Sequence, residues 1–217
     1  MGESRRLTTV VTYPERGPYG DSSFRGNCSG FLIKDLLLYY KPRKVLDPME
    51  GSGTCRDVCR ELKISYVGTD LSQGIDMYSD EFLRRARAHL PIDFIFWHPP
   101  YGPMIKYSDK DEDLSNHYVE DFERKLIPGA ELLYNLLAPY GHLVILIGTY
   151  RSQGKIYRFN VDLIYWKEPT EPEIIKVQHN CQSDKFSYSS NFIAIADERI
   201  LIWKKPKKKK GRYGDER

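Results

Sequence analysis

The segment His98-Pro99-Pro100-Tyr101 carries the clearest chemical signal in this chain of 217 residues, and it follows the apolar run 93–97 directly. Two consecutive prolines fix φ and stiffen the loop. The imidazole of His98 and the carbonyl of Pro99 are adjacent hydrogen-bond acceptors, and Tyr101 offers a face for stacking worth about 1–3 kcal/mol per base. Acceptors aimed at the N–H groups of an aromatic amine favour a pyramidal, nucleophilic nitrogen. The loop could therefore activate an exocyclic amine.

A second segment, Asp47-Pro48-Met49-Glu50-Gly51-Ser52-Gly53-Thr54, follows the short run 44–47. Its two glycines let the backbone turn sharply and approach a ligand. It has neither the GxxxxGK[ST] pattern of phosphate loops nor the GxGxxG pattern of dinucleotide binders. Asp70 ends the next predicted strand, where an acid can accept hydrogen bonds from both ribose hydroxyls. A ribose acceptor without a phosphate-binding loop favours a nucleoside cofactor without phosphate, of which S-adenosyl-L-methionine is the common example.

Alternating strands and helices are needed to bring these segments together. Residues 1–30 are predicted to be an irregular lead-in, and 81–89 a helix unless a short strand begins near Ala86. The remaining predicted helices are 31–40, about 54–62, and 119–137 with an interruption at Pro128-Gly129; the predicted strands are 44–47, 65–70, 93–97, 142–148, 174–177 and 193–203.

This order predicts an α/β fold. Strand–helix–strand units form right-handed crossovers and build a parallel sheet that is covered on both faces. The last two strands are expected to form a hairpin at the sheet edge. Ligands of such sheets bind beyond the carboxyl ends of the strands, so the two chemical segments should lie close together.

The two segments resemble motifs of the amino-group DNA methyltransferases. Residues 47–54 are similar to the DPF-x-GSGT cofactor motif of that family, and residues 98–101 to its catalytic [DNS]PP[YWF] motif. Residues 24–29, with the following helix, resemble the lead-in motif that closes over the methionine end of the cofactor. The resemblance covers roughly residues 14–150.

The resemblance implies a Rossmann-like class I methyltransferase fold, with a seven-stranded, mostly parallel sheet and an antiparallel C-terminal hairpin. It implies transfer of a methyl group from S-adenosyl-L-methionine to the exocyclic amine of a flipped adenine (N6) or cytosine (N4) in DNA. The implied cofactor-binding residues are Asn27 at the carboxylate end, Asp70 at the ribose, and Asp47, Pro48, Gly51, Gly53 and Thr54. The implied catalytic residues, which hold the target base, are His98, Pro99, Pro100 and Tyr101.

Three positions depart from the family pattern. Met49 replaces the usual phenylalanine, which is a mild change, and the acid expected near a third strand is missing, since 85–89 occupies that stretch. His98 stands where the family has Asp, Asn or Ser. A neutral imidazole can accept a hydrogen bond and an imidazolium cannot. The hypothesis that His98 is a neutral acceptor predicts that activity is lost in mildly acidic solution.

Other functions remain open. Gly102 after the catalytic loop resembles enzymes that methylate the guanine amine of tRNA, although the RNA-binding domain of those enzymes is not visible. A protein glutamine methyltransferase is a weaker alternative, and His98 also allows an inactive methyltransferase fold that binds nucleic acid as a module. No separate target-recognition domain is visible. Sequence specificity is therefore expected to be modest, to lie in 103–118 and 149–190, or to come from a partner protein.

Composition indicates one domain over residues 1–203, with 1–42 as lead-in and first helix, and a basic, disordered tail at 204–217. The net charge is only +3, so the dense basic run of the tail is the best candidate for a phosphate contact. The four cysteines have no zinc-site spacing and are expected to be reduced. The chain has no secretion signal and no apolar run that could span a membrane. We therefore expect a cytoplasmic protein that associates with the nucleoid when bound to DNA.

Overall fold

Nine strands, five α-helices and two short 3₁₀ helices make up the chain where the computed structural model describes it, at residues 7–101, 103, 105–179 and 193–207. The predicted tail from residue 208 onward, Gly102 and Cys181 lie outside the described residues. The strands are β1 (Val10–Thr12), β2 (Lys44–Asp47), β3 (Ser65–Gly68), β4 (Ile92–Trp97), β5 (Leu137–Gly148), β6 (Tyr150–Ser152), β7 (Lys155–Tyr157), β8 (Ile174–Val177) and β9 (Asp197–Lys204). The helices are α1 (Gly30–Tyr40), α2 (Thr54–Leu62), α3 (Asp80–Ala88), α4 (Val119–Leu136) and α5 (Phe159–Trp166).

Seven of the strands form one sheet in the order β1-β8-β9-β5-β4-β2-β3, and β6 and β7 pair separately. β2 is parallel to β3 and β4, β4 to β5, and β1 to β8, whereas β9 is antiparallel to both β5 and β8. From β2 the chain continues to β3 on one side and then to β4 on the other, which makes β2 a topological switch point where ligands bind. The expected Rossmann-like, mostly parallel sheet of seven strands is confirmed.

The sheet is covered on both faces, because neighbouring side chains of a strand point to opposite sides. Val45 and Phe94 pack with α1 and α2, whereas Leu46 and Ile95 pack with α3, α4 and α5. A strand that is buried on both faces needs apolar side chains at every position, which explains the continuous apolar runs. The helices cover the two faces of the sheet and leave the ends of the strands accessible to a ligand.

Helix α4 is continuous, which corrects the predicted interruption at Pro128-Gly129. A proline inside a helix costs about 3 kcal/mol or more, but the buried face of α4 continues beyond it through Ala130 and Leu133. Fully burying one large apolar side chain stabilises a protein by about 1.5–3 kcal/mol. Because Pro128 itself is exposed, the helix keeps its buried contacts and tolerates the proline.

Several boundaries differ from the sequence prediction. β1 turns part of the expected irregular lead-in into an edge strand, so the antiparallel pair β8–β9 is not at the sheet edge. The segment after β5 contains the hairpin β6–β7 and helix α5, neither of which was predicted. β3 ends two residues before Asp70, and no strand begins near Ala86, which lies in α3. Within the described ranges, no helix has both the length and the apolarity needed to cross a bilayer.

Candidate active site

The loop between β2 and α2 turns sharply at two glycines. Gly51 and Gly53 have φ values of 49° and 84°, in the left-handed region that favours glycine. The backbone N–H of Gly51 donates to Oδ2 of Asp70 at 3.0 Å, and Oδ1 of Asp70 accepts the N–H of Ser72 at 2.8 Å. Asp70 therefore ties this glycine loop to the segment that follows β3.

A cavity of about 170 Å³ lies between the glycine loop, the lead-in segment and the loop after β4. Gly53, Pro99 and Tyr101 do not border it. Because strand ends of a parallel sheet meet at one edge, the cavity brings both predicted motifs together as expected. The predicted site residues that border it are Asn27, Asp47, Pro48, Gly51, Thr54, Asp70, His98 and Pro100.

Gly53 supports the turn and does not face the cavity. It precedes helix α2, and a Cβ at this position would lie 2.1 Å from a guanidinium nitrogen of Arg56. Arg56 pairs with the buried Glu50 at 3.2 Å, and Glu50 also accepts the hydroxyl of Tyr66 at 2.9 Å. The structure therefore gives Gly53 a role in placing Arg56 and the glycine loop, with no contact to the cavity.

Asp47 is a buried acid in the cavity wall, only 5% exposed. Its Oδ1 accepts the N–H of Met49 at 3.2 Å. Burial raises the pKa of Asp47 well above the usual range, and the neighbouring carboxylates of Glu50 and Asp70 raise it further, against the hydrogen bond from Met49. No lysine or arginine pairs with it in the part of the chain that the structure describes. A cationic ligand group would therefore stabilise the ionised form of Asp47.

Thr54 contributes a second unmatched polar group to the same wall. Its Oγ1 is buried and has no hydrogen-bond partner among the described residues. A buried hydroxyl without a partner costs about 1–3 kcal/mol. Since Thr54 and Asp47 both border the cavity, the wall is suited to a ligand with polar and cationic groups.

The lead-in segment closes over one part of the cavity. Oγ of Ser52 donates to Oδ1 of Asn27 at 2.9 Å, and Nδ2 of Asn27 donates to the carbonyl of Asp21 at 2.7 Å. The rings of Phe24 and Tyr107 stack with their centroids 5.6 Å apart, which joins the lead-in to the loop after β4. Asn27 thus borders the cavity as expected, while its amide nitrogen holds the lead-in in place.

His98 lies against a buried charged cluster. Its Nε2 is 3.4 Å from Oε1 of Glu198. The same oxygen accepts the hydroxyl of Tyr101 at 2.8 Å, and Oε2 pairs with Nζ of Lys176. Burial alone would raise the pKa of Glu198, but the adjacent His98 and Lys176 hold it well below the usual glutamate range. Glu198 is therefore an ionised acceptor beside the imidazole.

Tyr101 packs against the protein, contrary to the expected open stacking face. A Cβ on Gly148 would lie 2.7 Å from its ring, and the ring centroid of Phe159 is 6.5 Å away. Burial raises the pKa of the Tyr101 hydroxyl, which stays a neutral donor to Glu198. The ring takes this position because Gly148 leaves room for it and Glu198 binds its hydroxyl. Stacking of a base on Tyr101 stays a prediction.

Glu198 is a functional candidate that the sequence analysis did not identify, and it pairs with Lys176. They are 22 residues apart and stand directly opposite each other in the β8–β9 register. Lys176 begins the polar segment 176–180 at the end of the predicted strand 174–177. Its side chain is buried in the ion pair, and residue 180 lies outside the described residues. The pairing depends on the assembled sheet, so no local sequence pattern reveals it.

Residues of the segment 71–77 line a part of the cavity to which the family resemblance assigns no role. Leu71, Ile75 and Met77 offer apolar surface beside the polar Ser72 and Asp76. The stretch 85–89, where an acid was expected, belongs to the end of α3 and does not border the cavity. Apolar walls next to polar groups suit a flat heterocycle with hydrogen-bonding edges.

Comparisons with known proteins give distant structural similarities. No family model and no curated protein matches the sequence. A Thermus thermophilus protein, provisionally described as a DNA modification methylase and complexed with S-adenosyl-L-methionine, is 21% identical with a TM-score of 0.38, over 62% of this chain and 54% of that chain. A SAM dependent methyltransferase from Archaeoglobus fulgidus is 15% identical with a TM-score of 0.46, over 85% and 97%. A release-factor-specific protein-(glutamine-N5) methyltransferase from Alicyclobacillus acidocaldarius is 17% identical with a TM-score of 0.42, over 81% and 90%.

The chain spans about half the length of the Thermus protein. Similarity at this level of identity and TM-score does not establish activity, cofactor or substrate, and the names of these proteins cover both DNA and protein substrates.

Proposed function

We propose that this chain is an S-adenosyl-L-methionine-dependent methyltransferase that acts on the exocyclic amine of adenine (N6) or cytosine (N4) in DNA. The observation that carries the proposal is one cavity bordered by Gly51 and Asp70 on the cofactor side and by His98 and Pro100 on the other. A nucleoside bound to the first pair and an amine held by the second would meet in that cavity.

The polar groups of the cavity wall fit the proposed cofactor. The Asp47 carboxylate suits an ammonium or sulfonium group, and the unpaired hydroxyl of Thr54 suits a polar group of the methionine end. Each carboxylate oxygen can accept more than one hydrogen bond, so Asp70 can bind ribose hydroxyls while it holds the glycine loop. The bound cofactor would supply a methyl group on a positively charged sulfur.

The loop after β4 would hold the amine. A ring nitrogen of His98, which borders the cavity, is the acceptor for one amine N–H, and its hydrogen bond favours the pyramidal nitrogen of the transition state. The family resemblance implies the carbonyl of Pro99 as the second acceptor, although Pro99 does not border the cavity in the ligand-free structure. The prolines at 99 and 100 fix φ, so little reorganisation accompanies the reaction. DNA is favoured as the substrate by the resemblance of residues 98–101 to the catalytic motif of amino-group DNA methyltransferases.

The test is to incubate the protein with methyl-labelled cofactor and DNA, and in parallel with tRNA, and to identify methylated nucleosides by mass spectrometry after digestion. We expect label in N6-methyldeoxyadenosine or N4-methyldeoxycytidine. Label from the tRNA digest alone would replace DNA by RNA as the substrate. Cofactor binding in calorimetry without label in either digest would instead favour the inactive binding module.

A further inference from the structure

The side chain of Glu198 is buried, and its carboxylate contacts the imidazole of His98. Only 4% of Glu198 is exposed, and its oxygens contact His98, Tyr101 and Lys176. An unpaired buried carboxylate costs several kcal/mol, and Lys176 supplies the countercharge from the opposite strand position. Lys176 therefore gives the buried carboxylate a countercharge whether or not His98 carries a proton.

An ionised carboxylate only accepts hydrogen bonds, so the ring nitrogen that faces it should carry hydrogen. In His98 this nitrogen is Nε2, 3.4 Å from Glu198. The separation is long for a hydrogen bond, as catalytic contacts often are before the substrate binds. In neutral His98 the acceptor is then Nδ1, and His98 borders the cavity. The Glu198 contact therefore selects which nitrogen is available to a substrate amine.

Building on the proposed methyl transfer, we infer that His98 is the general base of the reaction and that Glu198 and Lys176 are its positioning residues. The lone pair of the amine forms the N–C bond to the methyl carbon while the C–S bond breaks, and the electrons of that bond remain on sulfur as a neutral thioether. One amine proton passes to Nδ1 of His98. The positive charge thus moves from sulfur to the imidazolium, which Glu198 stabilises, and solvent later takes the proton.

The neighbouring phenols and the thiol stay neutral in mildly acidic solution, so none of them competes with His98 as the base. Glu198 is held ionised by its partners. Burial raises the pKa of the neighbouring phenols and thiol, namely Tyr101, Tyr107 to about 12 and Cys28 to about 12.

A double-mutant cycle tests the inference. Glu198→Gln should lower kcat by about 10²–10⁴-fold, the usual contribution of a general base, without weakening cofactor binding in calorimetry. His98→Asn keeps an acceptor but has no base, since an amide cannot take up the proton. In the His98→Asn background, Glu198→Gln should cause no further loss of kcat at saturating cofactor. An equal loss of kcat in both backgrounds would show that Glu198 is merely structural and would overturn the inference.

Two further measurements keep the inference testable if Glu198→Gln does not fold properly. Glu198→Gln leaves Lys176 buried and unpaired, so Glu198→Gln/Lys176→Met, which removes both charges, should retain the thermal midpoint and show the same loss of kcat. Long-range ¹H–¹⁵N NMR of the wild-type protein should show the His98 hydrogen on Nε2. Hydrogen on Nδ1 would overturn the inference but not the proposed function. Failure of the wild type to methylate any nucleic acid would contradict both.

Discussion

Protonation of the Asp47 carboxyl affects both the binding of a ligand and the free energy of unfolding. Because burial raises its pKa, Asp47 holds a proton more readily in the folded, ligand-free protein than in the unfolded chain. Its contribution to the free energy of unfolding is therefore fully present below the usual aspartate pKa and is lost as the pH rises through the raised pKa. A bound cation reverses this preference, since it stabilises the carboxylate.

The first prediction concerns pH. Cofactor affinity should rise from mildly acidic to neutral solution, because binding of a cation requires ionised Asp47 and the raised pKa delays ionisation. Calorimetry across this range should show the rise in the wild type and a flatter dependence in Asp47→Asn. The same weak dependence in both proteins would show that Asp47 does not face the cationic part of the ligand.

The second prediction concerns the strength of that contact. Asp47→Asn should weaken cofactor binding by about 1.5–3 kcal/mol, the typical value of a hydrogen bond to a charged group, without lowering the thermal midpoint of the ligand-free protein at neutral pH. The exposed Asp80→Asn is the matched control and should bind the cofactor normally. Equal affinities for both variants would remove Asp47 from the binding site.

Sequence reasoning identified the parts of the site that follow strand ends directly. Asp47 and His98 stand at or directly after the carboxyl ends of β2 and β4, so their meeting follows from the parallel sheet. Glu198 could not be predicted, because only the antiparallel register brings it opposite Lys176 and beside His98. The position of the Tyr101 ring could not be predicted for a similar reason, since it depends on the space above the distant Gly148.

At the scale of elements, long periodic or apolar segments were predictable and short ones were not. α1, β4 and β5 have runs long enough to identify. β1 has three residues and depends on β8 for its pairing. α5 reads Phe-Asn-Val-Asp-Leu-Ile-Tyr-Trp, in which aromatic and β-branched residues favour a strand. Packing of Phe159 and Leu163 into the core nevertheless makes it a helix.

The glycine loop gives the third prediction. Gly53→Ala and Gly154→Ala both place a side chain at a positive φ, near 80°, which costs roughly 1–2 kcal/mol. Gly154 has open space around it, whereas a Cβ on Gly53 would displace Arg56 from its pair with Glu50. Gly53→Ala should therefore have the lower thermal midpoint of the two variants. Only Gly53→Ala should bind the cofactor more weakly than the wild type does. Equal behaviour of the two variants would contradict this role of Arg56.

Helix α4 gives the fourth prediction. Pro128→Ala restores a backbone N–H and removes a ring from the helix interior, so the free energy of unfolding should increase by up to about 3 kcal/mol. Pro128 is exposed, and the substitution leaves the buried face of α4 intact. Denaturant unfolding of this variant is compared with Glu131→Ala, an exposed change in the same helix. No gain over Glu131→Ala would mean that the helix already accommodates the proline without cost.

At the scale of the whole molecule, the net charge is small, so the long-range electrostatic field is weak. The excess of basic residues is concentrated at the C-terminus. The net charge is +3. Residues 208–217 contain five basic and two acidic residues, a net charge of +3, so the rest of the chain is close to neutral. Any general attraction to phosphates should therefore depend on this segment.

The fifth prediction follows from this distribution. Removal of residues 208–217 should weaken DNA binding and make its dependence on salt shallower, by about 0.9 in the slope of log K against log salt for each lost phosphate contact. Cofactor affinity and thermal midpoint should not change. DNA titrations at several salt concentrations provide the measurement, and an unchanged slope would exclude the segment as a phosphate contact.

The central claim is that one cavity holds a methyl donor beside the diproline loop. Its most direct test is a crystal structure with S-adenosylhomocysteine. The ribose hydroxyls should bind Asp70, the ammonium group should lie near Asp47, and the sulfur should face His98 and Pro100 across a space that can admit an amine. Binding elsewhere, or in this cavity with the sulfur turned away from His98, would contradict the account.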